Sequence, residues 1–196
     1  MVEYAEDFFL SIGFEPLPST FWERSLLVKP RDRSVVCHAS AWNLDPANND
    51  LRIKMCIEKN EEDFVTIHHE LGHIFYYQAY NHLPTLFQGG ANDGFHEAFG
   101  DLLTLSITPD YLSKIDFISE DEAKIAKEDS IGLLMKQALE GVVIIPWALM
   151  LDKWRSGVFD GDIDESNLNE AWWDMRKSYQ GISSPVARSE NYFDPG

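Results

Sequence analysis

Positive charge is scarce in this sequence, which carries 16 Lys and Arg against 33 Asp and Glu, for a formal net charge of -17 at pH 7. A surface this acidic repels phosphate backbones and anionic lipid headgroups. We therefore expect neither nucleic acid nor a membrane surface as a partner. The same repulsion disfavours an acidic macromolecular substrate.

Long apolar runs are also missing. The longest one, over residues 142–151, has Pro146 in its middle, whereas a membrane-spanning helix needs ~20 apolar residues. The first residues are acidic where a signal peptide is basic, and no apolar stretch follows them. The residues alone therefore predict no membrane segment in this chain. They leave open a cytosolic protein, a mature region or a fragment.

The composition that is present is that of a folded globular protein, with 44% apolar and 13% aromatic residues over 196 positions. This length suits one domain with a sizeable core. There is no internal repeat and no linker rich in proline, glycine and serine. Residues 1–196 are therefore predicted to form a single region.

Helical periodicity dominates the chain. It predicts helices over 2–12, 21–27, 62–80, 95–107 and 119–154 (kinked at Pro146), and a last helix that begins after an N-cap at Asp164. Alternating apolar residues over 35–42 and 51–57, joined by a connection rich in Asn, Asp and Pro, predict an antiparallel hairpin. The expected fold is mainly α with one small β-hairpin.

The most informative stretch is a His-Glu-x-x-His motif, formed by His69, Glu70 and His73 on the predicted helix over 62–80. Side chains four residues apart on a helix differ by ~40° in direction, so the two imidazoles converge on one point. Two convergent neutral imidazoles suit zinc. Glu70 lies about a quarter turn away, where it can take a proton from a water at the metal. His68 splays away from His73 and is not an equivalent ligand.

A third ligand makes this pattern more specific, because a catalytic zinc site uses three protein ligands and keeps one position for water. Glu97 supplies a candidate on the next predicted helix. Asp101 follows one turn later on the same face, where its carboxylate can accept the outer N–H of a ligating histidine, with His69 the favoured partner. The alternative is a coincidental pair of helix histidines bonded to their neighbours. The consistent spacings favour the zinc site.

Several segments together resemble the angiotensin-converting enzyme family of zinc peptidyl-dipeptidases, in order and over nearly the whole chain. These segments are 36–42, 68–73, 90–94, 95–101, Trp172-Trp173 with Arg176, and 193–196. The resemblance implies a helical zinc-metallopeptidase core. It implies His69, His73 and Glu97 as zinc ligands, and Glu70 as the general base and then the general acid.

The same resemblance implies roles for four further residues. His38 and Ala39 fall where the family's hairpin holds the substrate, the first by its side chain and the second by its backbone, as pairing of a peptide to an exposed strand edge would suit. Trp172 and Arg176 match positions that help hold an activating chloride. Without the resemblance, these four would be ordinary strand, core or solvated residues.

Cys37 and Cys56, the two cysteines of the sequence, occupy positions that are disulfide-bonded in the family. The predicted hairpin makes a cross-strand bridge sterically possible. Two buried free thiols and a second metal site are the alternatives. A disulfide implies an oxidising compartment, so the expected location is extracellular, as a secreted enzyme or a cell-surface ectodomain.

The resemblance implies peptide substrates and release of C-terminal dipeptides. Family members are much longer, and their groups that stabilise the oxyanion and grip the substrate's C-terminal carboxylate have no counterpart here. We therefore expect a fragment of a larger catalytic domain. Two alternatives stay open, a single-residue carboxypeptidase of the same family and a catalytically inactive zinc-binding or interaction module. The residues indicate no oligomeric state.

Overall fold

The computed structural model describes residues 1–128 and 130–195. Asp129, inside the predicted helix over 119–154, and Gly196, in the segment 193–196, lie outside the described residues. The chain divides into two compact units, Met1–Ile125 and Ala126–Gly196. Within the described residues the only sheet has two antiparallel strands, so the predicted mainly α fold with one hairpin is confirmed.

The first unit, called unit 1 below, holds five helices and the hairpin. Their bounds are α1 Val2–Ser11, α2 Ser19–Arg24, β1 Ser40–Asp45, β2 Asp50–Lys54, α3 Glu61–Asn81, α4 Asp93–Thr104 and α5 Pro109–Lys114. Helix α6, Glu120–Glu128, runs across the boundary in the sequence. The second unit, unit 2, contains α7 (Ser130–Asp160) and α8 (Leu168–Gln180).

Helix α3 is the central element of unit 1. Asn60 caps its start by accepting a hydrogen bond from the backbone N–H of Asp63 at 2.7 Å, and three acidic residues in the first turn suit the helix dipole. One face of α3, with Ile67, Leu71 and Ile74, is fully buried in a core cluster that also contains residues of α1, α2 and β2. This burial fixes α3 and leaves its opposite face for the site.

The hairpin pairs Ala41 with Ile53 and ends at the pair Ser40–Lys54. The predicted first strand, over 35–42, therefore begins five residues too early. The segment before Ser40 is tied instead by a disulfide between Cys37 and Cys56, with a Cα–Cα distance of 5.1 Å. The disulfide that the resemblance implies is present.

Two predictions about helix ends are wrong. The N-cap of α8 is Asn167, not Asp164, because the Asp164 carboxylate instead accepts hydrogen bonds from the backbone N–H and hydroxyl of Ser166. Helix α5 was not predicted at all. The sequence predicts no helix between the one over 95–107 and the one over 119–154, but Thr108 caps α5 by accepting from the N–H of Tyr111 at 3.3 Å.

Helix α7 extends beyond the apolar run over 142–151 at both ends and contains further apolar residues there. Pro146 lies inside the helix. By length and composition, Ile131–Asp160 could cross a bilayer. One such helix is a weak indication of a membrane segment, and Lys136 and Glu140 fall within it. Unit 2 buries its apolar residues around Met150 and Trp154 of α7 and Trp172 of α8.

Candidate metal centre

Two histidines of α3 and one glutamate of α4 meet at a single point. His69 Nε2 lies 3.1 Å from His73 Nε2, and Glu97 Oε2 lies 3.1 Å from His69 Nε2 and 3.7 Å from His73 Nε2. One ligand atom from each of these residues falls within 4.8 Å of the others. The three side chains together could hold one metal ion.

The donor set fits zinc. Zinc binds imidazole nitrogen and carboxylate oxygen at ~2.0–2.2 Å in a tetrahedral arrangement, which separates neighbouring ligand atoms by ~3.4 Å. The observed separations of 3.1, 3.1 and 3.7 Å lie around this value. Three protein ligands also leave a fourth position open, as in catalytic zinc sites.

The outer nitrogen of each histidine has a partner on α4. His69 Nδ1 donates to Asp101 Oδ1 at 2.9 Å, the contact that the sequence predicts. His73 Nδ1 lies 3.3 Å from Nδ1 of His96. Helix α4 therefore provides the candidate ligand Glu97 and also a hydrogen-bond partner for each of the two histidines.

Two glycines allow α3 and α4 to approach this closely. A Cβ atom on Gly72 would lie 2.8 Å from the Cα of Gly100, and a Cβ on Gly100 would lie 2.9 Å from Nδ1 of His69. Neither position has room for a side chain without a shift of the helices. Sequence reasoning missed this role, for which the only signal is a glycine on each site helix.

His68 points away from the metal centre, in agreement with its exclusion as a ligand. Its side chain is fully buried. Its Nδ1 donates to the carbonyl of Phe64 at 2.8 Å, and its ring packs edge-on against Phe64 and Phe8. Burial lowers the pKa of His68 to about 4, so this imidazole is neutral at pH 7.

Glu70 is buried beside the two ligating histidines. Its side chain is only 6% exposed. Burial raises the pKa of this carboxyl group and the neighbouring Glu97 carboxylate raises it further, whereas a protonated His69 would lower it. A divalent cation at the metal centre would favour the ionised form of Glu70. Burial and the neighbouring charges therefore control how readily the Glu70 carboxyl group gains or loses a proton.

The metal centre opens into a cavity of about 320 Å³ between the hairpin and helices α3 and α4. Residues from the start of the hairpin form one wall, and the metal-site side chains form the other. The lining residues are His38, Ala39, Ser40, Ala41, His69, Glu70, His73, Tyr77, His96 and Glu97. The structure thus brings His38 and Ala39 to the same cavity as Glu70.

Trp172 and Arg176 lie together in unit 2, on α8. The guanidinium of Arg176 stands over the Trp172 ring at 6.0 Å and donates to Gln180 Oε1 at 2.5 Å. Both residues line a cavity of about 390 Å³ that also contains the Asp194 carboxylate. Hydrogen bonds from Arg188 and Trp173 hold the pKa of Asp194 well below its usual range, so this carboxylate is ionised and paired with the Arg188 guanidinium.

The fold and site define a class, a mainly helical protein with a His-Glu-x-x-His helix and a glutamate on the following helix. The chain belongs to the angiotensin-converting enzyme family, since the peptidase family model of that description matches residues 1–196. This confirms the resemblance seen in the sequence. The family is one of metallopeptidases, which hydrolyse peptide bonds.

Individual relatives agree with this assignment. The chain is 48% identical over 198 residues to angiotensin-converting enzyme of Bos taurus and 49% identical over 199 residues to that of Sus scrofa. Each match covers 100% of this chain and 15% of the relative. A third match, to angiotensin-converting enzyme of Haematobia irritans exigua, is 43% identical over 200 residues and covers 99% of this chain and 32% of the relative. The chain therefore spans less than a third of these relatives.

Proposed function

We propose that residues 1–196 form the zinc-binding core region of a larger catalytic domain, in a peptidase that releases C-terminal dipeptides from peptides. The observation that carries this proposal is the convergence of His69, His73 and Glu97 beside the buried Glu70, in a cavity with a hairpin wall. Family membership supports the same reaction class.

His69 Nε2, His73 Nε2 and Glu97 Oε2 would hold the zinc ion. When bound, zinc supplies a Lewis acid that polarises the scissile carbonyl and makes water a nucleophile near neutral pH. Asp101 accepts the Nδ1–H of His69, which keeps the Nε2 lone pair of that ring free for coordination. The carboxylate of Glu97 would supply the third protein ligand.

Glu70 moves the proton in this reaction. Its carboxylate takes a proton from the attacking water as the general base, and it returns that proton to the leaving amine as the general acid. Burial raises the pKa of this carboxyl group, and a bound cation would lower it, so the two influences act in opposite directions on the proton that Glu70 carries.

The hairpin holds the substrate. His38 and Ala39 lie directly before β1 and line the same cavity as Glu70, so a peptide that lies there would contact both this segment and the proton-transfer group. Pairing of an extended peptide with the backbone at Ala39 would align the scissile bond, and His38 would contact the substrate through its side chain.

Chloride would bind in the separate cavity of unit 2. Arg176 supplies the positive charge there, and its place over Trp172 restricts where the guanidinium can point. The carboxylate of Asp194 in the same cavity would repel an anion, so we propose that chloride binds on the Arg176 side of the cavity.

The disulfide between Cys37 and Cys56 supports an extracellular location, because such bonds persist in oxidising compartments. Peptides are the proposed partners, and nucleic acid is not, given the net charge of -17. A second candidate function is a zinc-binding module without turnover. The match spans only 15% of the mammalian relatives, so it does not by itself imply turnover by these 196 residues alone.

The test combines metal content with product analysis. We expect about one zinc per chain, removed by a chelator, and little hydrolysis of a blocked peptide by these 196 residues. In a complete enzyme that contains this region, we expect C-terminal dipeptides as product, whereas free single amino acids would indicate the carboxypeptidase alternative.

Glu70→Gln separates binding from chemistry. This variant should keep its zinc and lose turnover in the complete enzyme, since the amide cannot accept the proton of water. A chain that binds no zinc after refolding with the metal would contradict the proposed site.

A further inference from the structure

We propose that His96 is a positioning residue that accepts the Nδ1–H of His73 and so directs His73 Nε2 at the metal. This inference rests on the proposed zinc site. Sequence reasoning assigned no role to His96, although it lies directly before the ligand Glu97.

The direction of the hydrogen bond follows from the two Nδ1 atoms. His73 and His96 face each other through Nδ1, 3.3 Å apart, so one nitrogen must carry the proton and the other must accept it. His73 Nε2 points at His69 Nε2 and Glu97, where a metal needs its free lone pair. The proton of neutral His73 must then sit on Nδ1, which makes His96 Nδ1 the acceptor.

This assignment fixes the tautomer of His96 as well. A neutral imidazole that accepts at Nδ1 carries its proton on Nε2. His96 Nε2 lies 2.9 Å from the hydroxyl oxygen of Tyr80, which can accept that proton. The chain of hydrogen bonds therefore runs from His73 through His96 to Tyr80. The reverse direction would place a proton on His73 Nε2 and block coordination.

The ring of His96 is held in place from several sides. Tyr76 and Tyr77 pack against it with centroid distances of 4.5 and 4.8 Å. Gly90 makes room for it, because a Cβ atom there would lie 3.1 Å from Cδ2 of His96. A ring fixed in this way can restrict the orientation of the histidine to which it bonds.

The two ligating histidines thus have different partners. His69 donates to a carboxylate, a usual partner for a metal-bound histidine, whereas His73 donates to a neutral imidazole. If His96 served only to fill space, a side chain of similar volume without a hydrogen-bond acceptor could replace it. The proposed positioning role requires an acceptor atom for the Nδ1–H of His73.

The experiment measures zinc affinity of the 196-residue chain with zinc alone as the probe, in His96→Leu and His96→Asn. Loss of an outer partner costs ~10–100-fold in metal affinity. We expect a loss of about 10-fold for His96→Leu, which has no acceptor, and a recovery to within ~3-fold of wild type for His96→Asn, whose amide oxygen can accept the Nδ1–H. His82→Leu, just past the end of α3, is the matched control and should bind zinc normally.

Nitrogen-15 NMR of the zinc-loaded wild-type chain provides a readout that does not depend on any variant. The sequence has 6 histidines, and long-range couplings distinguish the two neutral tautomers of each. We expect His73 protonated at Nδ1 and His96 protonated at Nε2. Protonation of His96 at Nδ1, or equal zinc affinity in all three variants, would overturn the inference.

These outcomes differ from failure of the zinc site itself. If the wild-type chain binds no zinc, the proposed function fails. If the wild-type chain binds zinc and His96→Leu binds it equally well, the zinc site stands and only the role of His96 is lost. Cobalt(II) in place of zinc gives a further check, because its visible absorption should change in His96→Leu and stay close to wild type in His96→Asn.

Discussion

The two compact units differ in how they bury apolar surface. The core of unit 1 contains residues from helices, from the hairpin and from loops. Four of these residues are fully buried: Phe9, Phe21, Leu51 and Ile67. Among the residues of unit 2 that the structure describes, the cluster contains only four buried residues. Much of the first half of α7 is exposed, including Ile131, Leu134, Val142, Val143 and Ile145.

This difference explains why the metal centre can be assembled in unit 1. The core face of α3 carries Ile67 and Leu71, and the direction of His69 differs from that of Ile67 by ~200° around the helix. Burial of one face therefore holds the opposite face toward α4 with little freedom. The predictions below test whether the site depends on unit 1 alone.

The largest expected effect is loss of the metal in His73→Ala. Removal of one of three ligands should leave no zinc after dialysis, because two protein ligands bind it far more weakly than three. Metal content by atomic absorption measures this. Arg176→Gln in unit 2 is the control and should retain about one zinc per chain. Loss of zinc in the control would show that the site does not belong to unit 1 alone.

The proximity of His69, His73 and Glu97 could be predicted from the sequence, because helical spacing places His69 beside His73 and Glu97 lies on the next predicted helix. Helix α3 was predicted over 62–80 and is Glu61–Asn81, since a long periodic pattern defines a helix well. The role of His96 could not be predicted in this way. It depends on how closely α4 approaches α3, and the small size of Gly72 and Gly100 permits that close approach.

The long helix of unit 2 shows the opposite case. The sequence predicts one helix over 119–154, and the structure is helical over 120–128 and 130–160, with Asp129 between them outside the described residues. Apolar residues lie all around α7, so no stripe identifies which face is buried. Unit 2 could therefore be predicted as helical, but its packing could not.

The next effect is on stability, in the double variant Cys37→Ser with Cys56→Ser. Loss of a disulfide that closes a loop of this size costs roughly 2–4 kcal/mol, because the unfolded chain gains freedom. Hydrogen exchange read separately over the two units should show faster exchange in residues 1–125 and little change in 126–196. Equal acceleration in both units would mean that they unfold together.

A smaller effect is expected for Gly100→Ala. The added methyl group would meet His69 Nδ1 at 2.9 Å, so α4 must move away from α3 at a cost of about 1–3 kcal/mol. We also expect weaker zinc binding, measured by competition with a chelator, because Glu97 and Asp101 move with α4. Gly141→Ala in unit 2, where a Cβ meets nothing within 4 Å, is the matched control. It should leave zinc binding unchanged and should not destabilise the chain, because alanine is favoured over glycine inside a helix.

The smallest expected effect is on stability in acid. It should change in unit 1 and stay the same in unit 2. In unit 1, hydrogen bonds from Arg52 and Arg24 lower the pKa of Asp50 to about 2, from an ordinary value of 3.8. A carboxyl group with a lowered pKa in the folded state stabilises the fold above pH 3.8, and this contribution is lost as the pH falls toward 2. Arg52→Gln should therefore shift the acid unfolding of residues 1–125 to higher pH, as followed by hydrogen exchange, while residues 126–196 keep their wild-type profile. Asp50→Asn removes the titrating group, so adding Arg52→Gln to it should produce no such shift. A shift that persists in that double variant would show that Arg52 acts through another carboxylate.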